Sequence, residues 1–504
     1  MSEFSNLVTT VVHNSTDTPT NKIYDVAIVG AGPVGLATAV GLRKRGIENI
    51  LVVDQARTFR QVGQVVDVLP NGLKALKYVD ANAYEAVKAA SLTFINSQQK
   101  KDEKTTSDIE IKPNKGSSEW VFKNFQGQKV RSIPLQFDVW FQNYGEGRVS
   151  ISWYNLQTAL RQMLPEEQVK ANHRCINIVH EQELGCIRLD CFSDISVEAN
   201  PYAYWVDEQK NNDTQSHNLE SIPQQSATKS FRAKIIVAAD GINSTVRKIL
   251  YANSSKQAFS KPEYSGFAAI FCREIPNIPK ELLAHIEEKF FTGSPMVTVS
   301  NYELLSNSET LSSSSARAIR ECPKIILINR QSMGYLLNIF VPEIKLQGKS
   351  GGDLLDLALQ ELENAAFPDA IKKLVRLSPT YNIQQRPYYI HRAASHENIS
   401  AAWSAGQVVL VGDAAHGMPP FMGQGVNQGL EDAMVVTTLI NNIVKENNLN
   451  NKQAIADAFE KYERLRRPFM EYIQEATLTQ FPYFSNQALQ EYCQKVYTRN
   501  YEII

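Results

Sequence analysis

The residues Gly30-Ala31-Gly32-Pro33-Val34-Gly35 set three glycines in the spacing G-x-G-x-x-G. Between a strand and a helix, that spacing suits the diphosphate of a dinucleotide. Gly30 makes the tight turn, Gly32 lets a diphosphate approach the backbone, and Gly35 lets the helix pack closely on the strand. The motif stands at the start of a helix, whose N-terminus offers free N–H groups and a partial positive charge. Asp54, with Gln55 beside it, follows 19 residues after Gly35. An acidic side chain there accepts hydrogen bonds from adenosine ribose hydroxyls. The spacing alone does not separate NAD from FAD, and a glycine-rich turn in another α/β protein is the bland alternative.

Two more constellations follow. One is Asp240-Gly241-Ile242-Asn243-Ser244-Thr245-Val246-Arg247. The other runs from Gly412-Asp413 through Pro419, Pro420, Phe421, Met422 and Gly423 to Gly425-Val426-Asn427. A carboxylate at the end of a parallel strand, followed by a glycine turn into a helix, suits a polyol-phosphate cofactor. Asp413 is placed to accept from a ribityl hydroxyl. A helix opening near Gly425 aims N–H groups at a group that becomes anionic, such as the N1–C2=O edge of a reduced flavin.

The elements that must position these residues are legible. Ile23–Val29, Ile50–Asp54, Lys234–Asp240 and Gln407–Asp413 read as short buried parallel strands. Leu36–Arg45 reads as a helix stopped by Gly46. Trp153–Leu164 reads as a helix with Leu156, Leu160, Met163 and Leu164 on one face. Residues 264–390 are rich in strands, such as Lys324–Ile328 and Tyr335–Val341. Helices are expected from Gly425 to about Val444 and from Lys452 to about Ala476. The polar stretches 96–118, 207–230 and 305–316 read as surface insertions.

The three motifs, in this order, resemble the FAD-dependent group A aromatic hydroxylases, the family of p-hydroxybenzoate hydroxylase, salicylate hydroxylase and zeaxanthin epoxidase. The resemblance covers roughly 23–76, 150–250 and 380–470. It extends to Leu69–Leu76, ahead of which Gly63 and Gln64 would approach the flavin, and to Tyr462–Pro468, which ends in Arg-Arg-Pro. It implies an α/β fold, with a doubly wound Rossmann-like FAD-binding domain interleaved with a mostly antiparallel-sheet substrate domain. The expected division is a polar tail at 1–20 and a discontinuous FAD-binding domain at 21–95, 150–255 and 400–445. A substrate domain takes 96–149 and 256–399, and a helical segment takes 446–504. The cofactor residues implied are Gly30, Gly32, Pro33, Val34, Gly35, Asp54, Gln55, Gly63, Gln64, Gln157, Asp240, Gly241, Arg247, Gly412, Asp413, Pro420, Gly423, Gly425, Val426 and Asn427.

The activity implied is monooxygenation: NAD(P)H reduces FAD, O₂ forms a flavin hydroperoxide, and one oxygen atom hydroxylates or epoxidises the substrate. The cofactor carries this chemistry, so no protein nucleophile is expected. Pro419, Phe421 and Met422 would line the pocket of an apolar or aromatic small molecule. An FAD-dependent dehydrogenase or oxidase on the same fold is the alternative. Two departures stand out. Trp153 stands where many members of the family carry Arg, and Asp54 replaces the more usual Glu. The Trp-x-Trp-x-Ile-Pro signature of flavin-dependent halogenases is absent.

The balance of the chain narrows the classes further. It has 504 residues, with 52 Lys and Arg against 53 Asp and Glu, a net charge of −1. That balance argues against a nucleic-acid partner. Hydrophobic residues at 43% supply a large core. The six cysteines include no C-x-x-C pair, so they read as core thiols in a reducing, cytoplasmic setting. Eight histidines are scattered without ligand-like spacing, so no metal is expected. No apolar run is long enough to span a membrane. Arg386, Tyr388, Tyr389, His391 and Arg392 either border the substrate or belong to an ordinary amphipathic strand. The aromatic segment 480–497 reads as core packing, a cover on the flavin domain, or a dimer contact.

Overall fold

The computed structural model describes residues 22–56, 64–92, 119–194, 226–252, 256–302, 321–329, 332–394, 401–479, 485–499 and 501. Gly63, the tail 1–20, the stretches 96–118 and 305–316, and Phe481, Tyr483 and Phe484 lie outside the described residues. Of the stretch 207–230, residues 207–225 also lie outside them.

Strands are numbered along the chain. The first sheet has eight strands. Its main path is β16 (Ser404–Ala405), β17 (Val408–Leu410), β10 (Ser226–Ala238), β1 (Ile23–Val29), β2 (Ile50–Val53) and β7 (Val169–Lys170). β9 (Cys186–Asp194) pairs with β10, and β8 (Arg174–Glu181) pairs with β9. The pairs β1–β10, β1–β2, β10–β17 and β2–β7 are parallel. Parallel pairing requires crossover connections, and these bury both faces. That is why Val26, Ile28, Leu51, Val52, Ile236 and Val237 are all closed to solvent. β10 starts at Ser226, so residues 226–230, expected in a surface insertion, form strand instead. Backbone pairing to β9 gives this polar run an extended partner that side-chain pattern alone does not reveal.

The second sheet has seven strands, ordered β15 (Ile383–Ile390), β11 (Glu263–Cys272), β14 (Met333–Phe340), β13 (Lys324–Asn329), β12 (Met296–Val299), β4 (Glu119–Lys123) and β5 (Lys129–Pro134). Every pair is antiparallel except β12–β4. Strand alternation splits its side chains between two faces. Ala268, Ile270, Leu337 and Ile339 join one apolar core, while Phe267, Ala269, Phe271, Leu336 and Phe340 join a separate aromatic cluster with Tyr388 and Phe421. A third, two-stranded sheet pairs β3 (Val65–Val68) with β6 (Val149–Ser152).

The helices that matter here are α1 (Pro33–Lys44), α2 (Pro70–Val79), α3 (Phe137–Tyr144), α4 (Trp153–Arg161), α5 (Thr245–Tyr251), α6 (Gly425–Lys445), α7 (Lys452–Thr479) and α8 (Asn486–Tyr497). α1, α2, α6 and α7 pack with the first sheet in one core, and Tyr492 and Tyr497 of α8 are buried in it as well. The six cysteines are free thiols, four of them buried. Among the described residues, no helix is long and apolar enough to cross a membrane.

Candidate active site

The groove begins where β1 turns into α1. Gly30 has φ +104°, which disfavours any residue with a Cβ. A Cβ on Gly35 would lie 2.0 Å from the Gly30 carbonyl oxygen, so only glycine fits there. Gly32 differs, because its Cβ would meet nothing nearer than the Trp153 ring at 3.8 Å. Sterics inside the protein therefore do not require glycine at 32. No side chain caps α1, so its first N–H groups are left for a ligand. Gln157, from α4, braces the loop by donating to the Ala31 carbonyl at 2.6 Å.

Asp54, at the end of β2, accepts from the Ala31 N–H at 2.6 Å and the Ala56 N–H at 2.7 Å. Burial raises its carboxyl pKa, and those two backbone donors pull it back. The carboxylate stays partly open, next to the turn it helps to shape. Gln55 is exposed.

The second motif is used differently from the expectation. Asp240 accepts from Ser244 Oγ at 2.6 Å and from the Thr245 N–H at 2.7 Å, which caps α5. Arg247, expected on the cofactor, is 1% exposed. Its guanidinium donates to the carbonyls of Phe259, Ala414 and Ala415 at 2.7, 2.9 and 3.0 Å. Burial lowers its pKa to about 10. Arg247 thus holds the third motif in place and does not reach into the groove. Gly241, with φ +78°, turns the chain between these two roles.

The third motif closes the far end. Gly412 has φ +58° and leads into the helical turn Asp413–His416. The Val34 side chain packs onto Gly412 and onto Gly429, where a Cβ would lie 2.3 Å from Val34 Cγ2. Asp413 lies among protein atoms, yet its side chain remains open toward the groove. Desolvation raises its pKa, the nearby His416 lowers it, and Asp432 raises it. Its carboxylate has no hydrogen-bond partner among the described residues. Asp413 Oδ1 lies 3.8 Å from where a Cβ on Gly425 would stand, at the start of α6. Gln424 provides no side-chain cap, so that helix end also keeps free N–H groups. Gly423, with φ +63°, is exposed beside it.

Asn427 is fully buried. It accepts from the Leu69 N–H at 2.9 Å and donates to Asp67 and Gly423 carbonyls at 3.0 and 2.7 Å. It therefore ties α2 to α6, with both of its amide N–H groups spent inside the protein. Val426 is partly exposed next to it. Gln64 is exposed, with its side-chain oxygen 2.6 Å from Arg386 Nη1 and its backbone carbonyl accepting from the Trp153 N–H at 3.0 Å. Arg386 thus reaches from β15 to the rim of the groove. His391 is buried, its Nε2 lies 2.9 Å from the Ile242 carbonyl, and burial pushes its pKa down to about 3. Arg392 pairs with Glu263.

Several supporting residues escaped the sequence reading. Glu431 and Asp432 of α6 are both fully buried. Arg466 of α7 reaches both, at 2.6 and 2.7 Å. Asp432 also accepts from the Gly412 N–H at 2.8 Å and lies 2.6 Å from His416 Nε2. Two acids in the apolar run Gly429–Ile440 were the available signal. Arg467, one residue on, points elsewhere and stacks over Trp403 at 4.5 Å.

The loop after His416 carries the site onto the second sheet. Pro419 is buried, Pro420 exposed, and Phe421 and Met422 half-buried. The Phe421 ring lies 5.1 Å from Phe267 and 5.5 Å from Tyr388, both edge-on. Tyr388 donates to Asn338 Oδ1 at 3.2 Å. Open glycine backbone, two uncapped helix ends and one unpartnered carboxylate come together around Val34, and the loop that follows them ends at an aromatic face. This donor set fits an extended dinucleotide with a sugar-alcohol arm, so FAD fits the residues present.

This arrangement is that of a flavin-dependent oxidoreductase. The FAD binding domain family matches residues 23–66 and 358–477. Kynurenine 3-monooxygenase of Debaryomyces hansenii is 23% identical over 474 residues, spanning 92% of this chain and 80% of that protein. A dual trans-enoyl reductase/FAD-dependent monooxygenase of Aspergillus terreus is 22% identical, over 88% of this chain and 52% of that protein. A salicylate hydroxylase substrate complex shares the fold at TM-score 0.59 and 16% identity, covering 95% of this chain and 97% of the other. Klebsiella pneumoniae HpxO with FAD and uric acid shares it at TM-score 0.54 and 15% identity, covering 94% and 93%. The chain is similar to FAD-dependent monooxygenases of the aromatic hydroxylase type, and these likenesses support an FAD- and NAD(P)H-dependent oxidoreductase.

Proposed function

We propose that this enzyme hydroxylates or epoxidises an apolar or aromatic small molecule lying against the wall that the Pro419–Met422 loop forms with the aromatic face of the second sheet. Bound FAD, reduced by NAD(P)H, supplies the activation of O₂. The protein's part is to bind, orient and exclude water. In this reading the N–H groups of α1 and the bare Gly32 backbone hold the diphosphate. Asp54 faces the adenosine ribose, and Asp413 accepts from the ribityl hydroxyls. The N-terminus of α6 favours negative charge on the ring edge nearest Gly425 and Val426. Gly30, Gly35, Gln157, Asp240, Arg247, Gly412 and Asn427 shape the groove from behind.

One observation carries the substrate reading. Phe421 belongs to the cofactor loop, yet its ring packs edge-on against Phe267 and Tyr388 of the other sheet. An apolar wall therefore joins the groove's end to the second sheet, and it keeps water from the reacting centre. Small aromatic substrates are named among the similar proteins, kynurenine by one name and uric acid by one complex. The deciding experiment supplies ¹⁸O₂ during substrate-stimulated NAD(P)H oxidation. One labelled oxygen atom in the product supports the proposal. Coupled turnover giving an unlabelled, desaturated product would mean a dehydrogenase or oxidase instead.

A further inference from the structure

We propose that Arg499, near the C-terminus, is a positioning residue of the flavin site and acts through the buried charges beneath the Gly412–Asp413 turn. The proposal rests on the FAD reading above. Arg499 lies beyond residue 477, where the family match ends.

The path is short and continuous. Arg499 Nη1 lies 2.6 Å from Glu431 Oε2. The same carboxylate oxygen is 2.6 Å from Arg466 Nη1. Arg466 Nε reaches Asp432 Oδ1 at 2.7 Å, and Asp432 Oδ2 accepts the Gly412 N–H at 2.8 Å. Glu431 Oε1 also accepts from Asn71 Nδ2 at 2.9 Å, on the first turn of α2. The two carboxylates therefore hold both the third-motif turn and the start of α2.

The partners of the two carboxylates show what the C-terminal segment adds. Glu431 and Asp432 are both fully buried, and Arg466 is a single cation between them. Arg499 is the second cation on Glu431, whereas Asp432 has His416 Nε2 as its second partner at 2.6 Å. A buried carboxylate left without its counter-charge is strongly unfavourable. Here the excess negative charge would sit within two turns of the start of α6. It would oppose the positive end of that helix, which would favour negative charge on FAD held as proposed above.

The segment is built to deliver this side chain. Tyr497 packs 5.3 Å from Trp140 and 5.1 Å from Tyr144. Lys74 Nζ donates to the carbonyls of Tyr144 and Tyr497, at 2.8 Å each. The Arg499 guanidinium lies 3.8 Å over the Phe469 ring, and Tyr501 donates to the Asn71 carbonyl at 3.3 Å.

The test compares full-length wild type, Arg499→Met and Arg499→Lys. FAD affinity is measured by flavin fluorescence, and the reduction potential of the bound flavin by spectroelectrochemistry. For Arg499→Met we expect FAD binding weakened about tenfold and a more negative potential. Arg499→Lys keeps the charge and should bring both back to near wild type. Affinity within about twofold of wild type, with an unchanged potential in Arg499→Met, overturns the proposal. If that variant does not fold, Arg499→Gln takes its place with the same expected losses, and unchanged values there overturn it equally. A wild-type protein that takes up no FAD refutes the flavin reading itself, and this inference with it.

Discussion

Arg247 and Ala414 stand 167 residues apart in the chain, and the guanidinium of one donates to the carbonyl of the other at 2.9 Å. With the Ala415 and Phe259 bonds, this contact makes the second motif a clamp on the third. Arg247→Met would leave three carbonyls short of a donor in a site closed to water. The expected cost is about 2–4 kcal/mol of stability. FAD binding should weaken too, because the clamped turn carries Asp413. Differential scanning fluorimetry with and without FAD checks both. An unchanged melting temperature would remove the clamp.

Glycines 32 and 35 separate ligand space from folding space. Gly32→Ala places a methyl group toward Trp153, in ordinary van der Waals contact with its ring at 3.8 Å. The apo protein should keep its stability, within about 0.5 kcal/mol, while FAD affinity falls. Gly35→Ala drives a methyl group to 2.0 Å from the Gly30 oxygen. That variant should lose the fold around α1 as well as the cofactor. Circular dichroism of the apo proteins and FAD titration read the two effects apart. Equal behaviour of the two variants contradicts this division.

Much of this was legible in the sequence, because the groove is local. Gly30–Gly35, Asp54 and Gly412–Asp413 lie at the ends of β1, β2 and β17, and buried parallel strands announce themselves as short apolar runs. The sequence does not show a role that is set by something distant. Asp240 and Arg247 have the residue types expected of cofactor ligands, yet a helix cap and three remote carbonyls claim them. Asn427 is spent in the same way. The aromatic face formed by Phe267, Phe340 and Tyr388 depends on antiparallel register between β11, β14 and β15. Residues more than a hundred positions apart meet there, and no spacing rule reports that.

His391 gives a pH signature with a definite sign. Burial pushes its folded-state pKa down to about 3, against an ordinary value of 6.5. The unfolded chain therefore binds a proton that the folded chain refuses between those values. The contribution is fully present above pH 6.5 and is lost as pH falls toward 3. At about 1.4 kcal/mol per pH unit, going from pH 6.5 to 5 should remove roughly 2 kcal/mol from this residue. His391→Gln should lose about that much less over the same interval. Urea unfolding at the two pH values measures it, and parallel curves for the two proteins would contradict the assignment.

Asp432 adds a second acid-sensitive group in a lower window. Its carboxyl is pulled down to about 2: His416 and Arg466 outweigh a large desolvation effect. Its stabilisation should be complete above the ordinary carboxylate value of 3.8 and fade as pH falls through about 2. Asp432→Asn should flatten the stability profile between those values. It should also loosen the Gly412 turn at neutral pH, raising the FAD dissociation constant. A variant with wild-type FAD affinity would show that the Gly412 N–H bond does not shape the cofactor site.

Phe421 separates substrate from cofactor. Its ring touches the aromatic face on one side and belongs to the cofactor loop on the other. Phe421→Ala removes apolar contact where the proposed substrate lies, without touching Gly30–Gly35, Asp54 or Asp413. The Michaelis constant for the stimulating substrate should rise about tenfold or more, the scale of a lost apolar contact. The opened wall should also admit water, so less of the NAD(P)H consumed should appear as oxygenated product and more as hydrogen peroxide. FAD affinity should stay within about twofold of wild type. Product yield, peroxide yield and FAD titration on one preparation give all three values. If FAD binding falls while coupling and the Michaelis constant hold, Phe421 supports the cofactor loop and the substrate lies elsewhere.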